Sequence, residues 1–123
     1  MKFMCLAYED EAKLDALSER EWDALRTETI DYVEKLRAGG HLVLTYALQS
    51  VRKAASVKVR DGKRLVTDGP FAESKELIGG FFLIEARDRE EALALAAAWP
   101  SARIGAIEVR PIEETLPRDA RYR

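Results

Sequence analysis

The chain is poor in the residues that most readily reveal a function. Its 123 residues include one cysteine, Cys5, and one histidine, His41. A lone cysteine forbids an intramolecular disulfide and fits a reducing compartment. A lone histidine leaves no multi-histidine metal site within the chain. Neither sign of charge dominates: 20 Lys and Arg against 22 Asp and Glu give a formal net charge of -2. No broad basic field therefore draws nucleic acid or an anionic membrane. No apolar run approaches the roughly 20 residues of a membrane span. The N-terminus meets Glu9-Asp10-Glu11 too early for a secretory h-region, so a cytoplasmic protein is expected. Gly-rich phosphate loops, zinc-ligand spacings and a Ser-His-Asp order are all missing, and no cofactor is expected.

What remains is 47% apolar and 34% charged, an ordinary balance for one globular domain large enough to bury a core. Residues 1–112 read as that domain and 113–123 as a C-terminal tail without periodicity. Lys2 to Tyr8 read as a strand, in which Cys5 is a buried small hydrophobe rather than a nucleophile. Ser18-Glu19-Arg20-Glu21 has the form of a capping box and opens a helix to about residue 38. Trp22, Leu25, Thr29, Tyr32 and Leu36 recur at helical steps and predict one buried stripe. Gly39-Gly40 ends the helix.

His41 to Leu48 form the next strand, with Leu42, Leu44 and Tyr46 opposed to Val43, Thr45 and Ala47. Asp61-Gly62 is a tight-turn dipeptide between strands 55–60 and 63–67. A strand over 79–86 follows, then a helix over 88–99 capped by Asp88 with Glu91 as reciprocal partner, and a strand over 104–112. Stripped of the hairpin and the loop after it, the order is β-α-β, β-α-β. That order predicts an α+β ferredoxin-like sandwich, with helices on one face of an antiparallel sheet.

Two strands are apolar on both faces. Phe81 and Leu83 point opposite to Phe82 and Ile84, and Phe3, Cys5 and Ala7 point opposite to Met4, Leu6 and Tyr8. Helices cover one face only. Each large apolar side chain buried is worth roughly 1.5–3 kcal/mol, so the second face predicts a partner, and a second copy is the economical one.

Four segments carry a resemblance to a known family: Ala47-Leu48-Gln49-Ser50-Val51; Val66-Thr67-Asp68-Gly69-Pro70-Phe71-Ala72-Glu73-Ser74-Lys75-Glu76; Gly79-Gly80-Phe81; and Glu108-Val109-Arg110-Pro111-Ile112. Together they resemble the YCII-related group, in particular its DGPF-motif branch, over Met1 to about Ile112. The resemblance implies a dimeric α/β barrel made from two ferredoxin-like subunits, in a family largely without an assigned function. It also implies an active-site His and Asp pair, the His on the first helix. Aligning the glycine that ends that helix with Gly40 puts this position near Thr29, so the dyad does not carry over. Ser74 and Leu77 depart from the Thr and Gln of the DGPF branch.

The residues able to do chemistry each admit two readings. Asp68-Gly69-Pro70-Phe71 is either a shaped turn with Phe71 anchored in the core, or a barrel mouth with Asp68 as general base. Glu73, Lys75 and Glu76 are either a solvated turn or a ligand contact, with Lys75 pairing an anion and Phe71 as apolar wall. His41 is either a surface residue or a proton-transfer group, with Asp68 its natural partner. Arg110 is either half of an ion pair with Glu108 or an anion clamp. Arg52, Lys53, Lys58, Arg60 and Arg64 make the hairpin basic, but aromatic interleaving is missing and stacking on single strands is not expected.

The resulting expectation is a cytoplasmic homodimer that binds a small organic molecule in each barrel, with no nucleic-acid or membrane partner. The alternative is a cofactor-independent enzyme, performing proton transfer or a lyase step with Asp68 or His41 as acid or base.

Overall fold

A computed structural model describes residues 1–114. Those residues form β1 (Lys2–Glu9), α1 (Glu11–Asp15), α2 (Glu19–Ala38), β2 (Leu42–Ala47), β3 (Ala55–Arg60), β4 (Lys63–Asp68), β5 (Leu77–Glu85), α3 (Arg89–Ala97) and β6 (Ala106–Pro111), with 3-10 turns at Val51–Lys53 and Pro100–Arg103. The expected tail lies almost wholly outside the described residues. Just before it, Ile112 N–H donates to Lys2 C=O, and within it Glu114 pairs with Lys2 at 3.8 Å.

Four strands pair in the order β2-β5-β1-β6, every pair antiparallel. The β3–β4 hairpin forms its own two-stranded sheet. The fold is the expected α+β, ferredoxin-like one, with the hairpin and its following loop inserted between β2 and β5. Local chemistry sets the boundaries. Ser18 Oγ accepts from Glu21 N–H while Glu21 returns a bond to Ser18 N–H, completing the capping box. Gly40 takes a positive φ of 77° after α2, which lets His41 N–H reach back to Leu36 C=O at 2.9 Å. At the start of α3, Asp88 accepts from Glu91 N–H. The Glu91 carboxylate, however, turns to Arg87 rather than to Asp88, accepting from its N–H at 3.0 Å and pairing with its guanidinium.

The core lies between the sheet and α2 and α3. Phe3, Cys5, Phe82, Ile84, Leu36, Ala92, Ala96 and Trp99 fill it. Trp99 stacks on Phe82 with centroids 4.0 Å apart, and Tyr32 meets Trp99 edge-on. Burial pushes the Cys5 thiol up to about 12, as suits a hydrophobe rather than a nucleophile.

The other sheet face is apolar and uncovered in the monomer. Met4 opposes Leu83 and Leu6 opposes Phe81 across β1–β5, while Leu44 opposes Leu83 and Tyr46 opposes Phe81 across β2–β5. Tyr46 is 66% exposed. A register shift between Leu42 and Leu44 breaks the simple alternation expected of β2. Leu42 and Thr45 therefore sit on the helix side, opposite Ile84 and Phe82, and Leu44 and Tyr46 on the open side.

Candidate functional site

The stripe on α2 is sealed at one end only. Leu36 is buried, Leu25, Thr29 and Tyr32 are half-buried, and Trp22 at the N-terminal end is 45% exposed. Where the stripe opens, a cavity of about 290 Å³ lies against the sheet. Leu25, Thr29 and Ile30 form its helix wall, and Ala7, Tyr46, Gly80 and Phe81 its sheet wall. The surface is mostly apolar, with few polar groups, the usual make-up of a small-molecule site.

Two of those polar groups are unpartnered among the described residues. Ser101, on the 3-10 turn after α3, is only 6% exposed, lines the cavity and has no hydrogen-bond partner for its hydroxyl. Glu9, the last residue of β1, is half-buried in the same cavity. Among the described residues no hydrogen bond or ion pair reaches its carboxylate. Burial, and then the neighbouring Glu11 carboxylate, push the Glu9 carboxyl above the usual range. Room for Glu9 is made by a glycine: a Cβ on Gly79 would lie 2.0 Å from Glu9 Oε2. Thr29 is satisfied locally, its hydroxyl donating to Leu25 C=O at 2.8 Å.

Glu11 plays a different part. It accepts from Val51 N–H at 2.8 Å and Ser50 Oγ at 2.9 Å, tying the turn after β2 to α1. Those bonds, Val51 first, hold its carboxyl below the usual range.

The residues singled out from sequence lie elsewhere. His41 sits at the start of β2, its Nδ1 2.9 Å from Glu85 C=O. Asp68 ends β4 on the separate hairpin, exposed, paired in register with Ala55. No hydrogen bond or ion pair among the described residues joins the two, and His41 lies at the opposite end of β2 from the connection to the hairpin. Phe71 does not anchor the loop in the core. It is 75% exposed, with Lys58 Nζ 5.1 Å from its ring centroid, because the hairpin stands apart from the main sheet and offers no core to enter. With Pro70 it borders an open groove along β3. Glu73, Lys75 and Glu76 are exposed in that loop. Arg110 projects from the open sheet face opposite Met4, its Nε 3.9 Å from Glu108.

Sequence reasoning missed Glu9, Gly79 and Ser101. A carboxylate ending a two-faced apolar strand, and a double glycine opening another, were the available signals for the first two; Ser101 gave none.

The model of the YCII-related domain matches residues 1–115. The chain belongs to the YCII-related family. An uncharacterized protein of Rhizobium meliloti (strain 1021) is 33% identical over 114 residues, covering 91% of this chain and 92% of its own length. In this YCII-related chain Thr29, near which the resemblance implied a site position on the first helix, falls in the cavity wall. No helix among the described residues is long and apolar enough to cross a membrane.

Proposed function

We propose that this protein belongs to the DGPF branch and is a cytoplasmic homodimer that binds a small organic molecule in the cavity beneath α2. The observation that carries the reading is the pairing of two unpartnered polar groups, Glu9 and the Ser101 hydroxyl, in one otherwise apolar cavity. Buried polar groups are costly unless hydrogen-bonded, and a bound molecule would satisfy both. Dimerisation rests on the open face built from Met4, Leu6, Leu44, Tyr46, Phe81 and Leu83, which closing on a second copy would remove from water.

The second reading is a cofactor-independent proton transfer or lyase step. It is favoured by Glu9, whose raised carboxyl tends toward the range that general acid–base work needs. In this reading Asp68 and His41 remain further candidates for acid or base; Phe71, Glu73, Lys75, Glu76 and Arg110 would be contacts at the mouth of a closed barrel.

A crystal structure of the protein purified from its native host tests the site. Ligand density bridging Glu9 and Ser101 supports the cavity. Density beside Asp68 and Phe71, with the α2 cavity filled by water alone, would transfer the function to the hairpin loop.

A further inference from the structure

The cavity has a chemical bias beyond its shape. A second cavity of about 420 Å³ shares Glu9, Leu14, Trp22 and Gly79 with the first. Its wall adds Glu11, Asp15 and Glu19 against a single cation, Arg52. The approach to Glu9 is thus acidic, although the chain as a whole is nearly neutral. Arg26, on α2, lines the inner cavity but makes no ion pair with Glu9. Trp22 supplies aromatic surface in both cavities that Glu9 lines, and aromatic faces attract cations. At the far side waits the unpartnered, nearly buried Ser101 hydroxyl.

We propose, resting on the cavity reading above, that the ligand is a compact organic amine. Its protonated nitrogen pairs with Glu9, its apolar body fills the space between α2 and the sheet, and a second polar group meets Ser101. Carboxylic acids and phosphates are disfavoured, because they would bring a second anion to an unpaired carboxylate beside Glu11. Metal ions are poorly served by one free carboxylate with an apolar surround. The volume, at the low end of the roughly 300–1,000 Å³ of ligand pockets, limits the body to about one ring.

Three near-isosteric probes separate charge from shape: tyramine, tyrosol and 4-hydroxyphenylacetate, titrated calorimetrically into the full chain. Tyramine is expected to bind on the order of tenfold or more tighter than the other two, the worth of a hydrogen bond to a charged group. Glu9→Gln should erase that preference by weakening tyramine far more than tyrosol, and Ser101→Ala should weaken tyramine and tyrosol alike. Equal binding of all three overturns the amine class and leaves the cavity standing. Binding by none of them overturns the amine class; the cavity reading then falls as well if a neutral fragment library also leaves the resonances of Gly79 and Thr29 unmoved. A tyramine preference that survives in Glu9→Gln overturns the role of Glu9.

Discussion

The Glu9 carboxylate occupies the space that a side chain at position 79 would fill. A methyl group on Gly79 would meet Oε2 at 2.0 Å and Cδ at 2.6 Å. Those atoms are the tip of a flexible side chain, so Gly79→Ala should turn Glu9 outward rather than break the sheet. The expected loss of stability is below the ~1–3 kcal/mol of overpacking a rigid core. The Glu9 carboxyl should return toward ordinary behaviour, read by carbon-13 NMR titration. An unchanged Glu9 titration would contradict the placement.

Glu9 and Glu11 should act oppositely on stability as pH changes. Burial raises the folded Glu9 carboxyl above 4.5, so from 4.5 up to that raised value the folded chain holds more protons than the unfolded one. Stability contributed by Glu9 is present below that window and lost as pH rises through it. Glu9→Gln is therefore expected to stabilise the chain at neutral pH and to change nothing well below 4.5. Glu11 is held below 4.5 by Val51 and Ser50, so its contribution is present above that value and lost as pH falls. Glu11→Gln should destabilise at neutral pH. Urea denaturation of both variants at acid and neutral pH checks the two signs.

The open sheet face predicts self-association. Sedimentation equilibrium at micromolar concentration should show a dimer, and Leu83→Lys, at the centre of the face, should yield folded monomer. A wild-type chain that sediments only as monomer would sink the dimer.

Core chemistry gives a fourth check. Phe82→Ala removes the ring that stacks on Trp99 and should cost about 3–5 kcal/mol. Asp68→Asn, at an exposed hairpin position, should stay within about 0.5 kcal/mol of wild type. Cys5, fully buried, should resist a thiol reagent in the native protein and react only on unfolding.

The fold was legible because its signals are local. A capping box at Ser18, paired glycines at 39–40 and Asp61-Gly62, where both residues take positive φ, fix element ends without tertiary help. Two-faced strands marked the open sheet face by alternation alone. The short helix at Glu11–Asp15 was missed, because its five residues are too few for a periodic stripe. The site was less legible, since it is assembled from the end of β1, from Gly79, which a register shift between Ala7 and Tyr8 leaves without a partner on β1, and from a turn after α3, all far apart in sequence. The central motif drew notice through its density of special residues. Phe71 shows the limit of that signal: nothing in the sequence tells that the hairpin stands away from the core.

The central claim is that the cavity under α2, holding Glu9 and Ser101, receives a small molecule. Nitrogen-15 chemical-shift mapping of the whole chain against a fragment library tests it most directly. The account predicts that hits move the amides of Glu9, Thr29, Gly79 and Ser101 together, and that Glu9→Gln weakens those bearing an amine. Hits that cluster instead at Asp68, Gly69 and Phe71, leaving those four amides in place, would contradict it.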